Sequence, residues 1–181
     1  MEEVGFCKDC KAHSGFLESW TEAQDVVMKA VETAQAQFPD FRIVATGHSL
    51  GGAIATIATA AMRNKGQTVD LYTYGAPKSG NKRLASFVSG TDKGESFRVV
   101  HKNDVVPTLP LTVPFLLPYT HVQPEYLITT GNHVDVTAND IKVIQNGHDG
   151  GLDIGAHLWY FNKISACDGL FDRKARAMVK A

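Results

Sequence analysis

Residues 44–62, "VATGHSLGGAIATIATAAM", run from an apolar stretch through a serine flanked by glycines into an alanine-rich stretch. Ser49 lies between Gly47 and Gly51 in the spacing G-x-S-x-G. A serine hydroxyl is a poor nucleophile until it is exposed and placed beside a base. A tight strand-to-helix turn gives the exposure. The glycines give room where side chains would collide with the neighbouring strand and helix. The helix N-terminus beneath such a serine offers backbone N–H groups to a developing oxyanion, and Leu50 N–H is the natural first donor. The five-residue pattern alone arises often by chance. Set between an apolar strand and a small-residue helix, it points to a nucleophile rather than to a glycine-loosened turn whose serine is incidental.

The segments around this stretch give the fold class. Residues 16–37, "FLESWTEAQDVVMKAVETAQAQ", place Phe16, Leu17, Trp20, Val27, Val31 and Ala34 at helical spacings, with Ser14 as a candidate cap and Pro39 as a stop. Residues 41–46, "FRIVAT", suit a short buried strand, and the helix "SLGGAIATIATAAMRNKG" follows. Strand "VDLYTYGAP", short helix "GNKRLASFVSG" and strand "SFRVVHKND" come next. Strands alternating with helices predict an α/β fold with a mostly parallel central sheet flanked by helices. After Asp104 five prolines, from Pro107 to Pro124, predict a long apolar loop ending in a strand over 125–129. "VDVTANDIKVIQ" alternates like one or two edge strands, "NGHDGGLDIG" is a glycine-rich loop, and "AHLWYFNKI" opens a last helix or turn.

A serine nucleophile needs a base and an acid that orients the base. Asp104 lies at the C-terminal end of the third apolar strand, the sheet edge where catalytic groups of open α/β sheets gather. Asp70, Asp92 and Asp135 are less well placed, at a strand start, in a loop and in an edge strand. Of the histidines after Asp104, His157 precedes the aromatic run "LWYF" and follows the glycine-rich loop, so a packed segment steadies it beside an open one. His148 is the second candidate. His121 and His133 read as supporting or surface residues. His48 is too close to Ser49 in sequence to serve it as base and reads as a packing residue with a hydrogen-bonding ring.

Composition sets bounds on the rest. The chain has 181 residues, 44% hydrophobic and 20% charged, with 18 basic against 19 acidic side chains and a net charge of -1. The basic residues are scattered without interleaved aromatics, so no nucleic-acid partner is expected. No apolar run approaches the roughly 20 residues of a membrane span, and the N-terminus "MEEVGFCKDC" has no apolar signal core. There is no metal-ligand cluster, phosphate loop or dinucleotide fingerprint, so no cofactor or metal is expected. Cys7 and Cys10 form a lone C-x-x-C pair, which admits a redox motif, half a zinc site or a small disulfide; the disulfide is the best of the three, with free thiols an equal alternative to it. Cys167 has no evident partner.

The blocks "HSGFLESW", "IVATGHSLGGAIATIA", "LYTYGAPKSGN", "FRVVHKNDVVPTLP", "YTHVQPEYLI" and "GAHLWYF" together resemble the class 3 lipases of filamentous fungi, a family that also holds feruloyl esterases and phospholipases. The likeness runs from about Cys7 to Cys167. It implies an α/β-hydrolase fold and hydrolysis of carboxylic esters by Ser49 as nucleophile, His157 as base and Asp104 as acid, with Leu50 N–H in the oxyanion hole. It implies that Cys7 and Cys10 form the family's small-loop disulfide and that the full-length family member is secreted. Members of the family carry a further stretch before the block that starts here at Met1, holding the first strands, a lid helix, a second oxyanion donor and a cysteine for Cys167. The expectation is therefore one α/β-hydrolase domain over 1–181, completed by an upstream segment and weakly active without it, with 168–181 as an extension. For substrate, the loop "PLTVPFLLPYT" offers Leu111, Val113, Phe115, Leu116 and Leu117 as an acyl-chain groove, the alternative being a loop folded onto the core. Together with His48, Leu111, Val113 and Phe115 form the expected substrate-side set. A triacylglycerol or other long-chain lipid ester, met at a lipid–water interface, is expected ahead of phospholipids and feruloyl esters. An inactive lipid-binding relative or a fragment without its own role are the competing readings.

Overall fold

The computed structural model describes residues 1–90, 92–112, 118–145, 147 and 150–164. The candidate residues Val113, Phe115, Leu116, Leu117, His148 and Cys167, and the extension 168–181, lie outside them. In chain order the elements are β1 (Glu2–Glu3), β2 (Lys11–Ala12), α1 (Ser14–Gln37), β3 (Ile43–His48), α2 (Leu50–Asn64), β4 (Val69–Tyr74), β5 (Gly80–Asn81), α3 (Lys82–Ser89), β6 (Ser96–His101), β7 (Tyr119–Thr120), β8 (Glu125–Ile128), β9 (Ile141–Ile144) and α4 (Ile154–His157). A five-stranded sheet has the order β3-β4-β6-β8-β9. Its first four strands are parallel and β9 closes one side antiparallel to β8. The small antiparallel sheet β1-β2-β5-β7 joins the N-terminus to the start of α3.

Small side chains let α2 lie close to its neighbours. It is buried almost throughout from Gly52 to Arg63, packed on β3 and β4 and covered by α1 through Trp20 and Met28. Its last buried residue, Arg63, spends its guanidinium on the carbonyls of Val69, Val88 and Glu95 and on Ser96 Oγ. A buried cation is tolerable only with such partners. The same holds between β6 and β8, where Arg98 and Glu125 pair at 2.8 Å, both buried. The opposite face of the sheet holds a second cluster, in which Tyr160 packs on Val99 and Ile128.

Several sequence expectations shift. Ser14 is the first residue of α1, not its cap; the capping position is His13, which makes no side-chain capping bond. The strand expected over 41–46 runs from Ile43 to His48. The third parallel strand stops at His101, because Asn103 takes a left-handed φ of 68°. The proline-rich stretch contains a 3-10 turn, Val106–Thr108, and the two-residue β7. In "VDVTANDIKVIQ" only Ile141–Ile144 is a strand; Thr137 and Asp140 cap each other around a 3-10 turn instead.

Candidate active site

Three parallel strands run out at one edge, and the chain leaves each in an unusual way. After β3, Ser49 takes φ 54° and ψ −129°, a conformation that side chains rarely adopt. Its N–H still donates to Tyr74 O at 2.9 Å, while its own carbonyl already accepts from Gly52 N at 3.0 Å. Strand pairing and helix thus meet on a single residue. The hydroxyl makes no capping bond to α2. A Cβ on Gly47 would fall onto the backbone of Gly51, whereas one on Gly51 would meet open space. Of the two flanking glycines the turn therefore needs the first for room. Leu50 opens α2, so its N–H precedes the helix's internal hydrogen bonds and is free to face an anion.

Asp104 is completely buried in the turn after β6. His157 Nδ1 lies 2.9 Å from its Oδ2 and 3.1 Å from its Oδ1. Val106 N–H donates to Oδ1 at 2.9 Å and Tyr160 O–H donates to Oδ2 at 2.6 Å. Burial above all, then the Asp104 charge, pushes the Tyr160 hydroxyl well above its ordinary value, so it stays a donor. With Nδ1 of His157 turned to a carboxylate, Nε2 is the nitrogen left for other chemistry. Gly75, at φ 58° directly after β4, lies under this group: a Cβ there would come 2.5 Å from Tyr160 Oη, 2.7 Å from Asp104 Oδ2 and 3.0 Å from His157 Nδ1.

His157 ends α4, a single turn whose start is capped by the Asp153 carboxylate on Gly155 N–H at 2.7 Å. The loop before it is stitched to the Asp104 turn by Gly151 N–H on Asp104 O and Asp153 N–H on Asn103 O. His157, expected in a loop, thus sits on a short helix pinned to the turn that holds Asp104. His48, adjoining Ser49, places its ring 4.4 Å from that of His157, and its Nε2 donates to His157 O at 2.8 Å. Burial lowers the pKa of His48, against the pull of that hydrogen bond and with help from the His157 charge. The structure so brings together His48, Asp104 and His157 beside the Ser49 turn.

The other candidates go elsewhere. Asp70 pairs with Arg42 and Glu95 N–H at the far end of β4. Asp92 and Asp135 are exposed. His121 is not a surface residue: it is buried, donates to Pro107 O at 2.7 Å, and burial holds its pKa well below the ordinary value. His133 stacks obliquely on Trp159 with rings 4.7 Å apart. Leu111 is exposed on the proline-rich loop. Cys7 and Cys10 are joined as a disulfide. Among the described residues no cluster of His, Cys, Asp and Glu is gathered for a metal, and no helix is long and apolar enough to cross a membrane. Sequence reasoning missed Tyr160 and Gly75. Tyr160 was visible only as one aromatic in "LWYF", and Gly75 only as a glycine closing a strand.

The class 3 lipase family model matches residues 1–113, which include Ser49 and Asp104. A secreted mono- and diacylglycerol lipase of Penicillium cyclopium is 42% identical over 91% of this chain and 56% of its own length. One from Fusarium solani is 43% identical over 87% of this chain and 49% of its own. Among solved structures, a mono- and diacylglycerol lipase from Aspergillus oryzae superposes with a TM-score of 0.83 at 34% identity, over 92% of this chain and 65% of that one. The chain spans about half the length of the curated relatives it matches. The fold shared with these structures is the α/β-hydrolase fold.

Proposed function

Because the chain belongs to the class 3 lipase family, we propose that it hydrolyses lipid carboxylic esters through an acyl-enzyme on Ser49. Ser49 Oγ attacks the ester carbonyl while His157 Nε2 takes its proton. Asp104 holds the ring in the tautomer with hydrogen on Nδ1 and stabilises the imidazolium that forms. Leu50 N–H receives the charge that gathers on the carbonyl oxygen. The imidazolium then protonates the leaving alcohol, and water, deprotonated by His157, releases the acid. The observation that carries this reading is the buried Asp104 carboxylate on His157 Nδ1, with the residue before Ser49 in contact with that same ring.

The sequence favoured triacylglycerol. The names of the relatives, mono- and diacylglycerol lipases from fungi, move the proposed substrate toward partial glycerides. Exposed aliphatic side chains neighbour each site residue in the chain: Leu50 beside Ser49, Leu109 and Leu111 beyond Asp104, Leu152, Ile154 and Leu158 around His157. Leu152 is 93% exposed. So much apolar surface next to a site supports work at a lipid–water interface. The relatives are named as secreted and the Cys7–Cys10 disulfide suits an oxidising compartment, so the proposed location is extracellular.

Fatty-acid release from emulsified monoacyl-, diacyl- and triacylglycerol, followed by pH-stat, tests the proposal. The expected result is release from the partial glycerides above the triacylglycerol, abolished by Ser49→Ala. Release that survives Ser49→Ala would overturn it, and a preference for short aromatic esters would overturn the lipid assignment.

A further inference from the structure

The backbone that carries His157 is held from outside its own helix. α4 is four residues long, far too short to persist by its own hydrogen bonds. His48 ends β3, and its Nε2 lies 2.8 Å from the carbonyl oxygen of His157. His101 ends β6 and is completely buried; its Nδ1 lies 3.1 Å from the carbonyl oxygen of Ala156 and its Nε2 3.0 Å from that of Thr130. A carbonyl oxygen only accepts, so His48 donates from Nε2 to His157 O; a neutral ring carries one N–H, and His101 with it on Nδ1 donates to Ala156 O. Two histidines, from the ends of two different parallel strands, hold two successive carbonyls of α4.

We propose that His48 and His101 are positioning residues for His157. They tie the last turn of α4 to the strand ends that also lead into Ser49 and Asp104. The distance from the base to both partners is thereby set by the sheet rather than by the glycine-rich loop before α4. His48 acts as a neutral ring, consistent with its burial beside a base that becomes positively charged during reaction. A like charge on His48 would oppose that step. The other nitrogen of His101, Nε2, lies 3.0 Å from Thr130 O, so the ring also packs against the chain after β8. The inference rests on the Ser49–His157–Asp104 reading for its consequence, while the clamp itself is a matter of hydrogen bonds.

The test compares leucine and amide variants of the full chain. A glutamine amide at 48 can donate where Nε2 does, and an asparagine amide at 101 can donate where Nδ1 does. His48→Leu and His101→Leu are expected to lower kcat on p-nitrophenyl butyrate by about ten- to a hundredfold, with KM changed less than about twofold. His48→Gln and His101→Asn should recover most of that loss. Leucine variants that melt cooperatively and keep kcat, or amide variants no better than leucine, overturn the proposal. Should the leucine variants not fold, hydrogen exchange at the ring N–H groups of the unaltered chain decides. Slow exchange at His48 Nε2 and His101 Nδ1 supports the clamp, and exchange as fast as in an open imidazole refutes it. That readout needs no ester hydrolysis, so a chain that hydrolyses nothing defeats the functional reading and leaves this one standing or falling by itself.

Discussion

Ser49 combines two requirements that conflict. Its backbone must turn from strand to helix at φ 54° and ψ −129°, which costs on the order of 1–3 kcal/mol for a residue bearing a Cβ. Its side chain must nevertheless be there if, as proposed, the hydroxyl is the reacting group. Glycine would relieve the first and lose the second. Ser49→Gly is therefore expected to raise stability by about 1 kcal/mol over Ser49→Ala while both lose hydrolysis. Paired urea melts check this: equal midpoints for the two variants would mean that the turn carries no strain. The proposed residue-scale chemistry could be framed from the sequence, since a serine in a glycine-flanked turn and its two candidate partners are types a reader looks for. Tyr160 was not legible there, because a phenol that donates to a carboxylate looks in sequence like any packed aromatic.

Elements were legible where they are long. The helical spacing of Trp20 and Val27, and the small-residue run after Ser49, correspond to α1 and α2. The two-residue strands β1, β2, β5 and β7 have no period to read, and their pairing joins Ala12, Gly80 and Thr120 from three distant stretches. The proline-rich loop was expected as a loop, but what holds it could not be seen. Lys78, nearly buried, donates from Nζ to Thr108 O at 2.7 Å and to Pro110 O at 3.4 Å, and its N–H donates to Leu109 O. One side chain from the "GAPKSGN" turn thus fixes the start of the loop that leads away from Asp104. Lys78→Met removes a charged donor worth about 1.5–3 kcal/mol. It is expected to lower stability by that order and to change the ranking of a p-nitrophenyl ester series by acyl length. An unchanged ranking in a variant destabilised as expected would show that this loop takes no part in choosing the acyl chain.

At the scale of the molecule, the parallel sheet is what makes a site of residues far apart in sequence. The register of β3, β4 and β6 carries Ser49, Gly75 and Asp104 to one edge, and the stitched loops before α4 bring His157 there from the C-terminal side. The price of this convergence is a polar interior, in which Arg63, Arg98 with Glu125, His101 and His121 are all buried and all partnered. None of that interior was read from the sequence. A buried charge is recognisable only once its partners are known, and those come from other strands and loops. The convergence is also the most exposed claim, and one labelling experiment reads it directly. A fluorophosphonate probe is reacted with the full chain and the adduct located by peptide mass spectrometry, in the unaltered protein and in His157→Gln. The expected result is a single adduct on Ser49 whose rate of formation falls by roughly a hundredfold or more in His157→Gln. A folded chain with no adduct on Ser49, or labelling at the same rate without His157, would contradict that claim.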